Sequence, residues 1–253
     1  MGNNVTLTIA ATVIIAAVLP WAPASQAVQP APQAIQKESP TEILSAAAER
    51  GDWLQAELRN YTYFAELTIQ TVSQADIITG KYYRFSRISF DRDGTRRERV
   101  LENSSTLPKG LYIGTETAEN LTRIYHFLLT SETLKQYDVD YVGRERIDEL
   151  NTYVFDVKPR LKIPDKSGKT RERYLKGRVW IDDEDHCVVK VAGEPLTEQS
   201  GHQAPKFETY FQNYGSAWFP AYTSGVDFIR VAGYFNRVVI NLRYTGYKKA
   251  GAR

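Results

Sequence analysis

Cysteine is all but missing from this chain. Cys187 is the only one in 253 residues. No internal disulfide can form, so a small scaffold stapled by bridges is excluded and the core must come from packing. Histidine is nearly as scarce. His126, His186 and His202 form no HxxxH or HExxH spacing and leave too few N and S ligands for a zinc site. There is no glycine-rich phosphate loop and no Gly-x-Ser-x-Gly elbow. Neither sign of charge dominates: a net +2 speaks against a dedicated nucleic-acid binder. The first 27 residues contain no Asp, Glu, Lys or Arg at all.

That last absence sets the compartment. Val5 to Leu19 is an apolar run interrupted only by threonine, and Pro20 breaks it. Ser25 and Ala27 then place small side chains at −3 and −1 of a cleavage site. Residues 1–27 read as a secretory signal peptide, the run being shorter than the ~20 residues of a spanning helix. The expected location is the periplasm or beyond, in the cell envelope. Residues 28–38, rich in Pro, Ala and Gln, read as a flexible linker. A folded domain is expected over 39–249.

What is abundant is aromatic: 16 Tyr, 10 Phe and 4 Trp. Ser39-Pro40-Thr41-Glu42 has the form of a capping box with Pro at the first helical position. Ile43, Leu44, Ala47, Leu54 and Leu58 follow at helical spacing, and Gly51-Asp52 is a possible split. From Asn60 the period becomes two, with Tyr61, Tyr63, Ala65, Leu67 and Ile69 against Thr62, Glu66, Thr68 and Gln70. Asp93-Gly94 marks a hairpin between Lys81–Phe90 and Thr95–Glu102. A second helix is expected over Thr117–Leu129. Strands follow at 137–146, 152–158, 173–182, 186–192, 206–214, 218–225, 226–233 and 236–247. The pattern predicts a mainly β chain with some α: one curved antiparallel sheet closed over by helices.

Candidate chemistry is thin. His186-Cys187 suggests a thiol and base, but neighbours on a strand face opposite ways, so Cys187 reads as an ordinary strand residue. Asp182-Asp183-Glu184-Asp185 lacks the spacing and glycine of a calcium loop and reads as a hairpin tip. Glu145, Asp148 and Glu149 read as turn residues. Arg92, Arg96, Arg97 and Arg99 cluster on the first hairpin beside Tyr82, Tyr83 and Phe85. They suit contact with anionic headgroups or a partner protein, or a charged edge that discourages strand-to-strand aggregation. No metal, cofactor or catalytic residue is expected.

Four segments carry a family likeness: Tyr141 to Pro159, Leu175 to Asp185, Pro205 to Thr209 and Trp218 to Thr223. Together they resemble the outer-membrane lipoprotein-sorting-like proteins of bacteria, the LolA/LolB-like family. The resemblance implies an incomplete β-barrel wrapped around helices, with an apolar cavity between. It also implies a monomeric binding or carrier protein for a lipid or a lipoprotein acyl chain, without catalysis. The alternative it implies is an envelope sensor or adaptor that binds another protein, as in RseB and MucB. Inward strand positions Tyr63, Leu67, Phe155, Val157, Val179, Ile181, Ile240 and Leu242 are the candidate cavity wall. Plain packing against the helices is the other account of each.

Overall fold

The computed structural model describes residues 38–124, 128–160, 175–195, 206–215, 217–231 and 234–251. The signal segment 1–27, the linker up to 37, the charged stretch 162–173, His126 and His202 lie outside them. Helix α1 (Pro40–Leu58) starts as its sequence requires. The Ser39 hydroxyl accepts from the Glu42 amide, and the Glu42 carboxylate accepts from the Ser39 amide at 2.8 Å. Ile43, Ala47, Ala48, Gly51 and Leu54 form its buried stripe. Gly51 does not split the helix. A Cβ there would overlap the Leu129 carbonyl, so the glycine admits a neighbouring backbone instead of ending a turn.

The chain then lays down β1 (Tyr61–Val72), β2 (Ile78–Phe90) and β3 (Arg96–Ser105). Two short helices follow, α2 (Thr115–Ile124) and α3 (Ser131–Gln136). The expected second helix is thus α2, and α3 is an addition with no buried side chain of its own. Seven strands complete the fold: β4 (Tyr137–Ile147), β5 (Leu150–Pro159), β6 (Leu175–Asp182), β7 (Val188–Pro195), β8 (Lys206–Asn213), β9 (Trp218–Val231) and β10 (Tyr234–Lys249). The two strands expected over 218–233 are one. Gly225 stays in register opposite Phe207 and Ile240, so no turn forms there.

All ten strands form a single antiparallel sheet in the order β3-β2-β1-β10-β9-β8-β7-β6-β5-β4. The first and last strands pair inside it, as third and fourth in the order, from Tyr61 opposite Lys249 to Val72 opposite Arg237. The two edges, β3 and β4, do not pair, and residues 106–136 connect them. The sheet is therefore an incomplete barrel, as expected, and α2 and α3 sit on the link between its free edges.

One row of paired positions crosses the sheet: Asn103, Arg84, Leu67, Leu242, Thr223, Thr209, Val191, Val179, Phe155, Tyr141. Side chains in such a row share a face. From Arg84 to Phe155 every member is buried. Helix residues Ile43, Ala47, Ala118 and Leu129 join the same core cluster. At the far end of α1 an aromatic group closes the packing: Phe219 lies 4.8 Å from Tyr61 and 4.7 Å from Tyr247 between ring centroids. Tyr244 and Tyr247 both reach the interior because the β1–β10 register shifts opposite Tyr63.

The next inward row runs Tyr82, Ile69, Ile240, Gly225, Phe207, Gly193, Gly177, Val157, Val139. A Cβ on Gly177 would overlap the Ala192 carbonyl and stand 2.7 Å from the Gly193 Cα. The strands approach here more closely than a side chain allows, which marks a tight bend of the sheet. Gly177→Ala is expected to lower stability by about 3 kcal/mol. Urea unfolding monitored by tryptophan fluorescence checks it; an unchanged midpoint would mean β6 and β7 separate at no cost.

Candidate functional site

The eight candidate wall residues do come together. Tyr63, Leu67, Phe155, Val157, Val179, Ile181, Ile240 and Leu242 are all buried and all belong to one cluster, packed against the helices. Their side chains are shut away from solvent together with those of the helices.

The interior is not wholly apolar. Beneath α2, on the inner face of β2 and β3, lies a polar island that includes two residues never singled out from the sequence. Arg84 and Glu98 form an ion pair at 2.9 Å with both side chains only 3% exposed. Glu98 also accepts from the Ser86 hydroxyl at 2.8 Å and from Arg96 Nη1 at 3.0 Å. Arg96 Nη2 donates to the Thr122 hydroxyl on α2 at 3.1 Å. The Tyr244 hydroxyl donates to the Thr122 carbonyl at 2.9 Å. Glu119, one turn earlier on α2, brings Oε1 to 3.7 Å from Arg84 Nη2. Burial alone would push the Glu98 carboxyl up. The Ser86 hydroxyl and the guanidiniums of Arg96 and Arg84 outweigh it and hold Glu98 below the ordinary value. The sequence signal was present: Arg84 and Ser86 share strand parity with Tyr82 and Ile88.

The arginine group of the first hairpin divides. Arg92, Arg97 and Arg99 are exposed, with Arg97 paired to Asp91 at 2.6 Å. Arg96 turns inward to Glu98 and Thr122 and does not join them.

A cavity of about 770 Å³ lies elsewhere, against β4 to β9. Asp140, Asp156, Lys158, Lys176, Arg178, Ala192, Glu194, Lys206, Glu208, Ser224 and Val226 border it. All have the strand parity opposite to the core row, so they point outward. The remaining border is core-facing: Val157, Gly177, Gly193, Phe207 and Gly225. Three of those are glycines, so backbone forms much of the floor. The cavity is an outward groove, and Val157 alone of the eight wall candidates touches it. Asp156 is held by a two-point bond from Arg178 at 2.7 and 3.3 Å. Lys190, one position from Val191 and also outward, sits 4.7 Å from the Trp180 ring centroid and pairs with Glu208 at 3.4 Å.

Cys187 lies in the turn before β7, not within the strand, and His186 there has φ of 58°. Its backbone amide donates to Asp185 Oδ1 at 2.9 Å, and Trp218 Nε1 donates to Asp185 Oδ2 at 2.7 Å. Burial, with Asp185 beside it, pushes the thiol up to about 12. The His186 ring is turned to Glu38 at 3.1 Å. This is an arrangement that suppresses a thiolate nucleophile. Among the described residues no group of three His, Cys, Asp or Glu is placed to hold a metal ion. Among them, too, no helix is long and apolar enough to cross a membrane.

No family model matches the chain, and no curated protein matches it. Solved structures do. A LolA superfamily protein from Nitrosomonas europaea is similar at 12% identity with a TM-score of 0.37, over 84% of this chain and 94% of that one. An outer membrane lipoprotein-sorting protein domain from Vibrio parahaemolyticus is similar at 13% identity and a TM-score of 0.39, over 83% and 93%. The MucA/MucB complex from Pseudomonas aeruginosa is similar at 11% identity and a TM-score of 0.23, over 80% and 99%. The first two carry the family name that the sequence segments resemble. What this chain binds has to follow from its own side chains.

Two outcomes are expected. Native Cys187 reacts with iodoacetamide at pH 8 roughly a thousandfold more slowly than the unfolded thiol, because the thiolate fraction falls with the raised pKa. Equal rates would mean an open, ordinary thiol. For Glu98 the folded pKa is depressed, so its contribution to stability is complete above the unfolded carboxylate value. It is lost as pH falls through the folded value. Glu98→Gln therefore costs about 3 kcal/mol at pH 7 and much less in acid. Urea midpoints of both proteins at neutral and acid pH test this; a gap independent of pH would contradict it.

Proposed function

We propose that the protein is a non-catalytic binding or carrier protein of the cell envelope. Its ligand is the apolar chain of a lipid or lipidated protein, taken up between the inner face of the sheet and α2. One observation carries the reading: the inner face is apolar across most of its width, yet the helix over its β1–β3 end is fastened by polar bonds converging on one residue, Thr122. Few of the described side chains of α2 are apolar and buried. Ala118 is buried and Leu121 partly buried. Lifting α2 breaks those polar bonds and opens a way to the inner face of β1 and β2, where Leu67, Ile69, Tyr82 and Ile88 lie. An incoming chain replaces that cover, each methylene moved from water contributing ~0.8 kcal/mol. No covalent step is needed, and a protonated Cys187 offers none. The apolar segment before Ala27 supplies the export route in this reading.

Titration with a fluorescent fatty acid tests it. Saturable binding with micromolar affinity is expected, and Leu67→Gln should weaken it at least about tenfold. Purified, folded protein that shows no saturable binding would sink the proposal.

The second reading is an adaptor for another envelope protein. It is favoured by the outward groove and by apolar residues exposed at both free edges, Val100 and Leu101 on β3 and Tyr141 and Val142 on β4. Stoichiometric co-purification of one polypeptide without lipid would select it over the carrier.

A further inference from the structure

Arg84 is not fully used by the fold. It is 2% exposed and lies between Leu67 on β1 and Asn103 on β3. Its Nε donates to Glu98. Its Nη2 is buried and makes no hydrogen bond. Such a donor, shut away from water, carries a cost that an oxygen acceptor would remove.

The charge count points the same way. Among the described residues the island holds two guanidiniums, Arg84 and Arg96, against one buried carboxylate, Glu98. The second carboxylate is not buried with them. Glu119 is the remaining counter-ion, but it is 38% exposed and 3.7 Å off, beyond hydrogen-bond reach. A guanidinium fork is also the geometry that receives a carboxylate at two points.

On the reading that a chain enters beneath α2, we infer that Arg84 Nη2 receives the oxygen of that chain's head. The ligand class is a fatty-acyl chain ending in an oxygen acceptor. A carboxylate is preferred over an ester carbonyl, because only the carboxylate supplies the charge that Glu119 brings from the half-exposed rim. The tail lies over Leu67 and its inward neighbours Ile69 and Tyr82. The head takes the place that Glu119 now half-fills, so Glu119 is a competitor for Arg84.

Displacement of the neutral fluorophore N-phenyl-1-naphthylamine separates this from the parent reading. Dodecanoic acid should displace it at about tenfold lower concentration than 1-dodecanol, with the methyl ester between them. Glu119→Gln should strengthen the acid several-fold and leave the alcohol unchanged. The double variant Arg84→Met with Glu98→Gln removes the charge and its partner together. It should still bind the alcohol, with the acid's advantage gone; circular dichroism confirms that it is folded. Equal displacement by acid and alcohol, or an acid affinity indifferent to Glu119→Gln, would overturn the role of Arg84 and leave the carrier reading standing. No binding of the fluorophore or of any of the three would overturn both.

Discussion

The two edges of this sheet never meet, and most of the molecule's character comes from that gap. A closed barrel satisfies its edges by pairing them. Here β3 and β4 stay apart, and the connection between them takes over as cover. A strand pair would close the gap with a ladder of backbone bonds. α2 closes part of it with a few side-chain bonds centred on Thr122, and α3 adds no buried side chain. Under the proposed reading the lining is reached by moving a short helix without unzipping a sheet.

The polar island beneath α2 is a poor way to gain stability. Removing Arg84 and Glu98 from water costs several kcal/mol per ion, and their mutual attraction seldom leaves much surplus. An apolar pair of the same size would pack there more cheaply. What the island adds is direction. Thr122 has defined partners on β3 and β10, so α2 has one seat and not several. Under the proposed reading the same charges also give the hollow a polar end and a greasy end.

Much of this was legible from residue order. The alternation from Tyr61 onward announced strands, Ser39 and Glu42 announced the first helix, and Asp93-Gly94 announced the first hairpin. The eight wall candidates all proved to share the inner face, because period two fixes the face once a strand is recognised. Three things were not legible. Arg84 sits on the inner parity of its strand, but a charge is read as outward until its partner is known. That partner, Glu98, is reached only through a hairpin whose register shifts past Leu101. Gly51 looks the same in sequence whether it ends a helix or makes room for Leu129. The groove against β4 to β9 depends on six strands lying side by side, and no local pattern reports that.

The pairing of β1 with β10 has a kinetic meaning. Tyr61 waits for Lys249, nearly the full length of the domain away. Contacts so distant in sequence close late, because the intervening chain must first give up its freedom. The seam that joins β1–β3 to the rest of the sheet cannot be assembled until β10 has been made. A polypeptide built this way stays unfinished, and so remains threadable, until β10 has been made.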